Sequence, residues 1–174
     1  MIYELVKSDD PILYNKVEPF DFSNPGINPI ELTNNLIETM YHHKGMGLSA
    51  NQVGLPYRVF VLHSQETLAM FNPKIIDQTS DEVKLEEGCL TFKNLWLPIK
   101  RPSIIKVRYQ DAFGGFRTDK FIGMTARCIM HELDHLNGID YRKRAHPMHL
   151  SRAENQKKVI DRKIKKLKQI GRAI

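Results

Sequence analysis

His131-Glu132-Leu133-Asp134-His135 places two imidazoles four residues apart, with a carboxylate next to the first. On an α-helix, residues four apart stand on one face a turn from each other, so two such imidazoles can close on a single cation. Glu132 projects from the edge of that face, within reach of a water that the cation activates. The stretch reads as helix. Ala126, Ile129, Met130, Leu133 and Leu136 recur at about the 3.6-residue period, and Gly138 stands where a helix would end. The chemistry this set supports is hydrolysis: the cation lowers the pKa of water, and Glu132 accepts its proton and passes it to a leaving amine.

A hydrolytic centre of this kind needs a third protein ligand and an open position. The metzincin motif adds Gly at its eighth position and His at its eleventh; here Gly138 fits the first but Tyr141 stands at the second. A downstream Glu is a poor candidate, because Glu154 is the only one after His135 and falls in a basic tail. The cysteines Cys89 and Cys128 remain. Cys128 shares the histidine face but precedes His135 by seven residues, or about 10 Å along the axis. Ligand bonds of about 2.0–2.3 Å cannot span that gap, so Cys128 reads as a small buried hydrophobe. Cys89 comes from elsewhere in the fold, within Glu86-Glu87-Gly88-Cys89-Leu90-Thr91.

Three motifs stand in order: Gly45-Met46-Gly47-Leu48-Ser49-Ala50-Asn51-Gln52, then Glu87-Gly88-Cys89-Leu90, then His131-Glu132-Leu133-Asp134-His135-Leu136-Asn137-Gly138. They closely resemble the signature motifs of the peptide deformylase family, and the resemblance runs from about Asp10-Pro11-Ile12-Leu13 to Gly138. It implies a cytoplasmic enzyme that removes the formyl group from N-formylmethionyl nascent peptides and releases formate. It also implies Cys89, His131 and His135 as ligands of one divalent ion, Fe(II) in the cell, with Zn, Ni or Co able to bind; thiolate and imidazole tolerate all four. Glu132 becomes the proton shuttle, while Gln52 and the backbone N–H of Leu90 steady the developing oxyanion. Gly45, Met46 and Gly47 would let an extended substrate approach as an added strand. Met124 and Cys128, on the helix ahead of His131, are candidates for the wall of a methionine pocket. Glu87 and Arg101 are implied as a buried pair under the Cys89 loop. Asp134 points away from the histidine face and is either a partner behind the ligands or solvated. His42, His43, His63, His146 and His149 share no ligand spacing with the site.

Several residues depart from the commonest pattern of that family: Ser49 for Ala, Thr91 for Ser, and Met130 for the Gln before His131. Phe92-Lys93 lacks a nearby Pro, Trp96 sits in a stretch that often bears polar residues, and Ile139-Asp140-Tyr141-Arg142 replaces Leu-Phe-x-Asp. Ser49 and Thr91 keep a size similar to what they replace, and all of these departures leave the expected ligands intact.

The elements that must position these residues read as α+β: mixed and antiparallel strands around the central helix, in one domain of 174 residues. Asn28-Pro29 with Glu31 starts a helix running to about His43, with Ile30, Leu36, Ile37, Met40 and Tyr41 as its apolar face. Strand patterns cover Tyr57–His63, Met70–Ile76, Val83–Leu85, Leu95–Ile99, Ile104–Gln110 and Gly115–Lys120, with Asp111–Gly115 turning between the last two. Ser151-Arg152-Ala153-Glu154 reads as a capping box opening a final helix, with Ile160, Ile164, Leu167 and Ile174 as its stripe. The expected division is a catalytic part, residues 1–150, and a basic amphipathic helix, residues 151–174.

Charge supports that division. Residues 142–174 hold twelve Lys or Arg against Glu154 and Asp161, a balance of +10, while the preceding part stands at −4. Such a tail points to a polyanionic partner, and the resemblance suggests the ribosome near its tunnel exit. Two cysteines in the chain fit a reducing compartment better than a disulfide scaffold. No apolar run approaches a membrane span, and the N-terminus lacks the regions of a signal peptide. Two other classes compete: a structural metal module on nucleic acid, and a metallopeptidase. The first would need four protein ligands and has no use for Glu132; formate release against internal cleavage of one peptide separates the rest.

Overall fold

Asn28 opens the first helix, its side chain accepting the N–H groups of Ile30 and Glu31, with Pro29 in the first turn where a missing donor costs nothing. A computed structural model describes residues 1–64 and 66–170. In it α1 spans Pro29–His42. Its buried face is Leu32, Leu36 and Met40, residues four apart, rather than the face expected: Ile30 and Tyr41 are 43% and 47% exposed. A stripe at i, i+4, i+8 presents one line of side chains to a sheet, and Ile30 and Tyr41 fall off that line.

The sheet beneath α1 is built of β1 (Gly47–Ser49), β2 (Val59–His63), β3 (Thr67–Gln78), β6 (Ile104–Gln110) and β7 (Phe116–Ile122). They lie side by side in that order, each antiparallel to the next. β1 was not foreseen; three residues are too few for an alternation to register. β3 runs further at both ends than its apolar pattern, since Asp77 and Gln78 pair with Lys106 and Ile105 through the backbone alone. β2 shows why its run is apolar throughout. Val59 and Val61 join the cluster under α1, while Phe60 and Leu62 join the cluster on the opposite face. A strand covered on both faces has no polar side.

That opposite face is covered by α2 (Gly123–Leu136), through Ala126, Ile129, Leu133 and Leu136. A separate hairpin, β4 (Glu82–Glu87) and β5 (Leu97–Pro102), pairs Glu87 with Leu97, and the loop joining them carries Cys89. Leu97 and Ile99 pack with Phe92, Leu95 and Tyr141 in a third cluster. The fold is therefore α+β, as expected.

The last helix, α3 (Pro147–Ile170), begins ahead of the expected capping box, so Ser151 and Glu154 lie inside it. Pro147 suits a first turn, and the His146 Nδ1 accepts the Met148 N–H at 3.3 Å. Leu150 and Ala153 pack against the third cluster. Beyond them contact fades: Ile160 is half-buried, but Ile164 and Leu167 are exposed, so the expected stripe docks only at its start. Ile174 lies outside the described residues. Among those described, no helix is long and apolar enough to cross a membrane.

Candidate active site

α2 carries an unusual load for a buried helix: Arg127, His131, Glu132, Asp134 and His135 are all buried. Its C-terminal carbonyls are satisfied from outside. Asn51 Nδ2 donates to the His135 carbonyl at 2.7 Å and Arg58 Nη1 to that of Leu136 at 3.0 Å. Gly138 ends the turn at φ 68°, where an added Cβ would lie 2.7 Å from the Tyr14 carbonyl oxygen.

His131 and His135 meet Cys89 at the end of this helix, with one ligand atom of each residue within 4.8 Å of the others. Cys89 Sγ lies 3.2 Å from His135 Nε2. Ligands on one tetrahedral ion, with bonds of about 2.0–2.3 Å, stand roughly 3.3–3.6 Å apart, so the Cys89 thiol and His135 stand close to ligand spacing and His131 lies near enough to join them. Burial raises the Cys89 thiol, but His135 and His131 outweigh it and hold the thiol well below its ordinary value. A thiolate is the form a divalent ion takes. Tyr141, in the segment that departs from the family pattern, packs its ring 5.3 Å from that of His131 and donates its hydroxyl to the Leu95 carbonyl.

Behind the histidines lies a buried ion network. Glu87 accepts from Arg101 at 2.7 and 2.9 Å, from Arg127 at 2.6 Å, and faces His131 Nδ1 at 3.1 Å. Burial pushes its carboxyl up, yet Arg101 and His131 together bring it down to about 2. The contact with Nδ1 leaves Nε2 of His131 for a cation. Arg101 reaches on to Asp134 at 2.9 Å, and Asp134 to Arg144 at 2.6 Å. The Glu87–Arg101 pair implied by the motifs is present, and Asp134 is its partner rather than a solvated residue. Arg127 and Arg144 were missed. Arg127 had a signal: a lone Arg four residues before His131, on the apolar side of a helix.

Glu132 is buried beside the thiol and the two imidazoles. Burial raises its carboxyl, opposed by His131, His135 and a hydrogen bond from Ser49. The Ser49 hydroxyl lies 2.7 Å from Glu132 Oε2 and 3.1 Å from the Glu132 carbonyl. Ser49 thus touches the carboxylate, a contact that its similarity in size to Ala does not announce. The other oxygen, Oε1, crowds Gly47: a Cβ there would sit 2.5 Å from it. Gln52 does two things at once. Its side-chain oxygen accepts the Ser49 N–H at 2.9 Å, which fixes its amide to donate to Thr91 Oγ1 at 3.1 Å, 3.5 Å from Cys89 Sγ. Leu90 follows Cys89, with its side chain against Gly45.

A cleft of about 320 Å³ opens over Cys89, His131 and Glu132. β1 is an edge strand on this side. Because the Met46 carbonyl already accepts from His63 in β2, the two-residue alternation turns the polar groups of Gly47 and the carbonyl of Gly45 to the open edge, the Gly45 N–H being given to the Met40 carbonyl at 2.9 Å. Met124 and Cys128 line the cleft. Burial pushes the Cys128 thiol up to about 11, so it offers a neutral wall. His42, His43, His63, His146 and His149 stand outside the ligand group; His63 bonds Tyr41, and His149 faces Lys84.

A thiol, two imidazoles and a buried glutamate at the floor of an open cleft, on an α+β scaffold, define a hydrolase of the metal-dependent kind. A family model described as Polypeptide deformylase matches residues 2–151, and the chain belongs to that family of enzymes, which remove the N-terminal formyl group from nascent peptides. A peptide deformylase of Thermotoga neapolitana is 36% identical over 139 residues, covering 79% of this chain and 84% of its own. One of Wolbachia pipientis wMel is 40% identical over 146 residues, covering 74% and 82%. The crystal structure of the Thermus thermophilus peptide deformylase superposes with a TM-score of 0.82 at 32% identity, over 91% of this chain and 94% of that one. The Synechococcus elongatus enzyme in complex with actinonin gives 0.82 at 30% identity, over 89% and 85%.

Proposed function

We propose that Cys89, His131 and His135 hold one divalent ion, Fe(II) in the cell, and that Glu132 moves the protons of deformylation beside it. The observation that carries this reading is the buried Glu132 carboxylate, fixed by Ser49 next to a thiol and two imidazoles within 4.8 Å of one another. The ion, when bound, supplies a Lewis acid and a hydroxide source near neutral pH. Everything else falls to the chain. The open edge of Gly47, with the Gly45 carbonyl, takes the formyl peptide as an added strand. Met124 and Cys128 wall the methionine side chain. Glu132 takes a proton from the attacking water and delivers it to the leaving amine. The Gln52 amide and Leu90 N–H donate to the oxygen on which negative charge develops. Glu87 and Arg101 orient His131 from behind.

Glu132→Gln is the test. It preserves shape, so the variant is expected to keep its metal and fold while formate release falls on the order of 10²–10⁴-fold. A metal-loaded Gln variant with near-native turnover would overturn the role of Glu132, and full metal occupancy in Cys89→Ala would overturn the ligand set.

The enzyme's place of work is the cytoplasm, beside the ribosome, with α3 as its contact. α3 carries eight Lys or Arg against Glu154 and Asp161, and the cations of its second half are exposed. Phosphate contacts made by such a helix release counterions and weaken steeply with salt. Truncation after Ile160 keeps the docked turns and removes most of that charge. Ribosome co-sedimentation is expected to be lost while a short formyl peptide is still hydrolysed; sedimentation unchanged by the cut would sink the ribosome contact.

A further inference from the structure

Trp96, the only tryptophan in the chain, is 62% exposed and lines the cleft. Its six-membered ring lies across Gly88, where an added Cβ would come within 3.1 Å of three ring carbons. Gly88 precedes Cys89, so the indole is braced on the backbone that leads into the ligand loop and leaves its other face open. Two more large apolar side chains, Met46 and Met124, are about half exposed and line the same cleft. Single exposed hydrophobes need no explanation, but three around one opening form an apolar mouth that water alone does not favour.

We propose that Trp96 is a specificity residue that reads the third residue of the peptide substrate and favours an aromatic or large aliphatic side chain there. The proposal rests on the strand-addition reading above. Side chains of an extended peptide alternate, so the first and third point to the same side and the second to the other. The methionine side chain enters between Met124 and Cys128, which line the same cleft as Trp96. The third residue, on the methionine's side and nearer solvent, meets the open face of the indole. An aromatic or aliphatic group there stacks on the ring, and a small polar one leaves it wet.

The experiment compares kcat/KM for formyl-Met-Ala-Phe and formyl-Met-Ala-Ser in the metal-loaded wild type, Trp96→Ala and Trp96→Phe. The Phe/Ser ratio cancels general damage to the site. It is expected to be about 3- to 10-fold in the wild type, the span of one aromatic contact, to fall toward one in Trp96→Ala, and to persist largely in Trp96→Phe. In the wild type, the deformylated product Met-Ala-Phe should also shift the emission of the single tryptophan more than Met-Ala-Ser does at equal saturation. A wild-type ratio near one, or the same ratio in Trp96→Ala, overturns the proposal. Absence of formate release from every peptide would instead overturn the deformylase reading itself, so the two failures are distinguishable.

Discussion

Two regions of this molecule are built from the same charged residue types and use them in opposite ways. Under the Cys89 loop, Glu87, Arg101, Arg127 and Asp134 are buried, and each makes ion pairs or charge-assisted hydrogen bonds. Along the outer half of α3, the cations stand in water. Burial strengthens a Coulombic contact and makes a missing partner costly, whereas water and salt weaken an exposed one. The buried set can therefore fix the direction of His131, and the exposed set cannot fix anything within the fold. What it can do is meet a partner. Charge on this chain orients where it is dry and attracts where it is wet.

The largest effect should come from breaking the dry set. Glu87→Gln keeps volume but leaves Arg101 and Arg127 facing a neutral amide. The expected cost is about 3–5 kcal/mol in a urea unfolding titration, with metal affinity falling about 10–100-fold through the loosened His131. An effect under about 1 kcal/mol would mean that the network tolerates an uncompensated guanidinium, and the contrast with α3 would lose its basis.

Ser49→Ala should be intermediate. It removes a hydrogen bond to a buried carboxylate, worth about 1.5 kcal/mol or more, so kcat is expected to fall about tenfold with KM nearly unchanged. A rise in KM at constant kcat would place Ser49 in substrate binding instead of in holding Glu132.

The smallest effect belongs to the wet set. Lys157 and Asp161 form a half-exposed pair one turn apart. Lys157→Ala should cost no more than about 0.5 kcal/mol, a difference that shrinks further in high salt. A loss as large as that of Glu87→Gln would show that α3 is bound to the body by charge, and the two regions would not differ as described.

What the sequence determined by itself was local. The His-Glu-x-x-His spacing sets two imidazoles on one helix face whatever surrounds that helix, because helical geometry repeats within a turn. Asn28-Pro29 starts a helix for similarly short-range reasons, and the order of the three motifs pointed to Cys89 as the third ligand. The tertiary structure decided the contacts that carry no period. Ser49 meets Glu132 across 83 residues, Arg127 meets Glu87 across 40, and Asp134 meets Arg101 across 33. The same holds for the apolar face of α1, which is set by where β2 lies, and for the outer half of α3, where Asp161 meets Asn94 while the cations face water. Sequence patterns report which side chains share a face; only packing reports what that face meets.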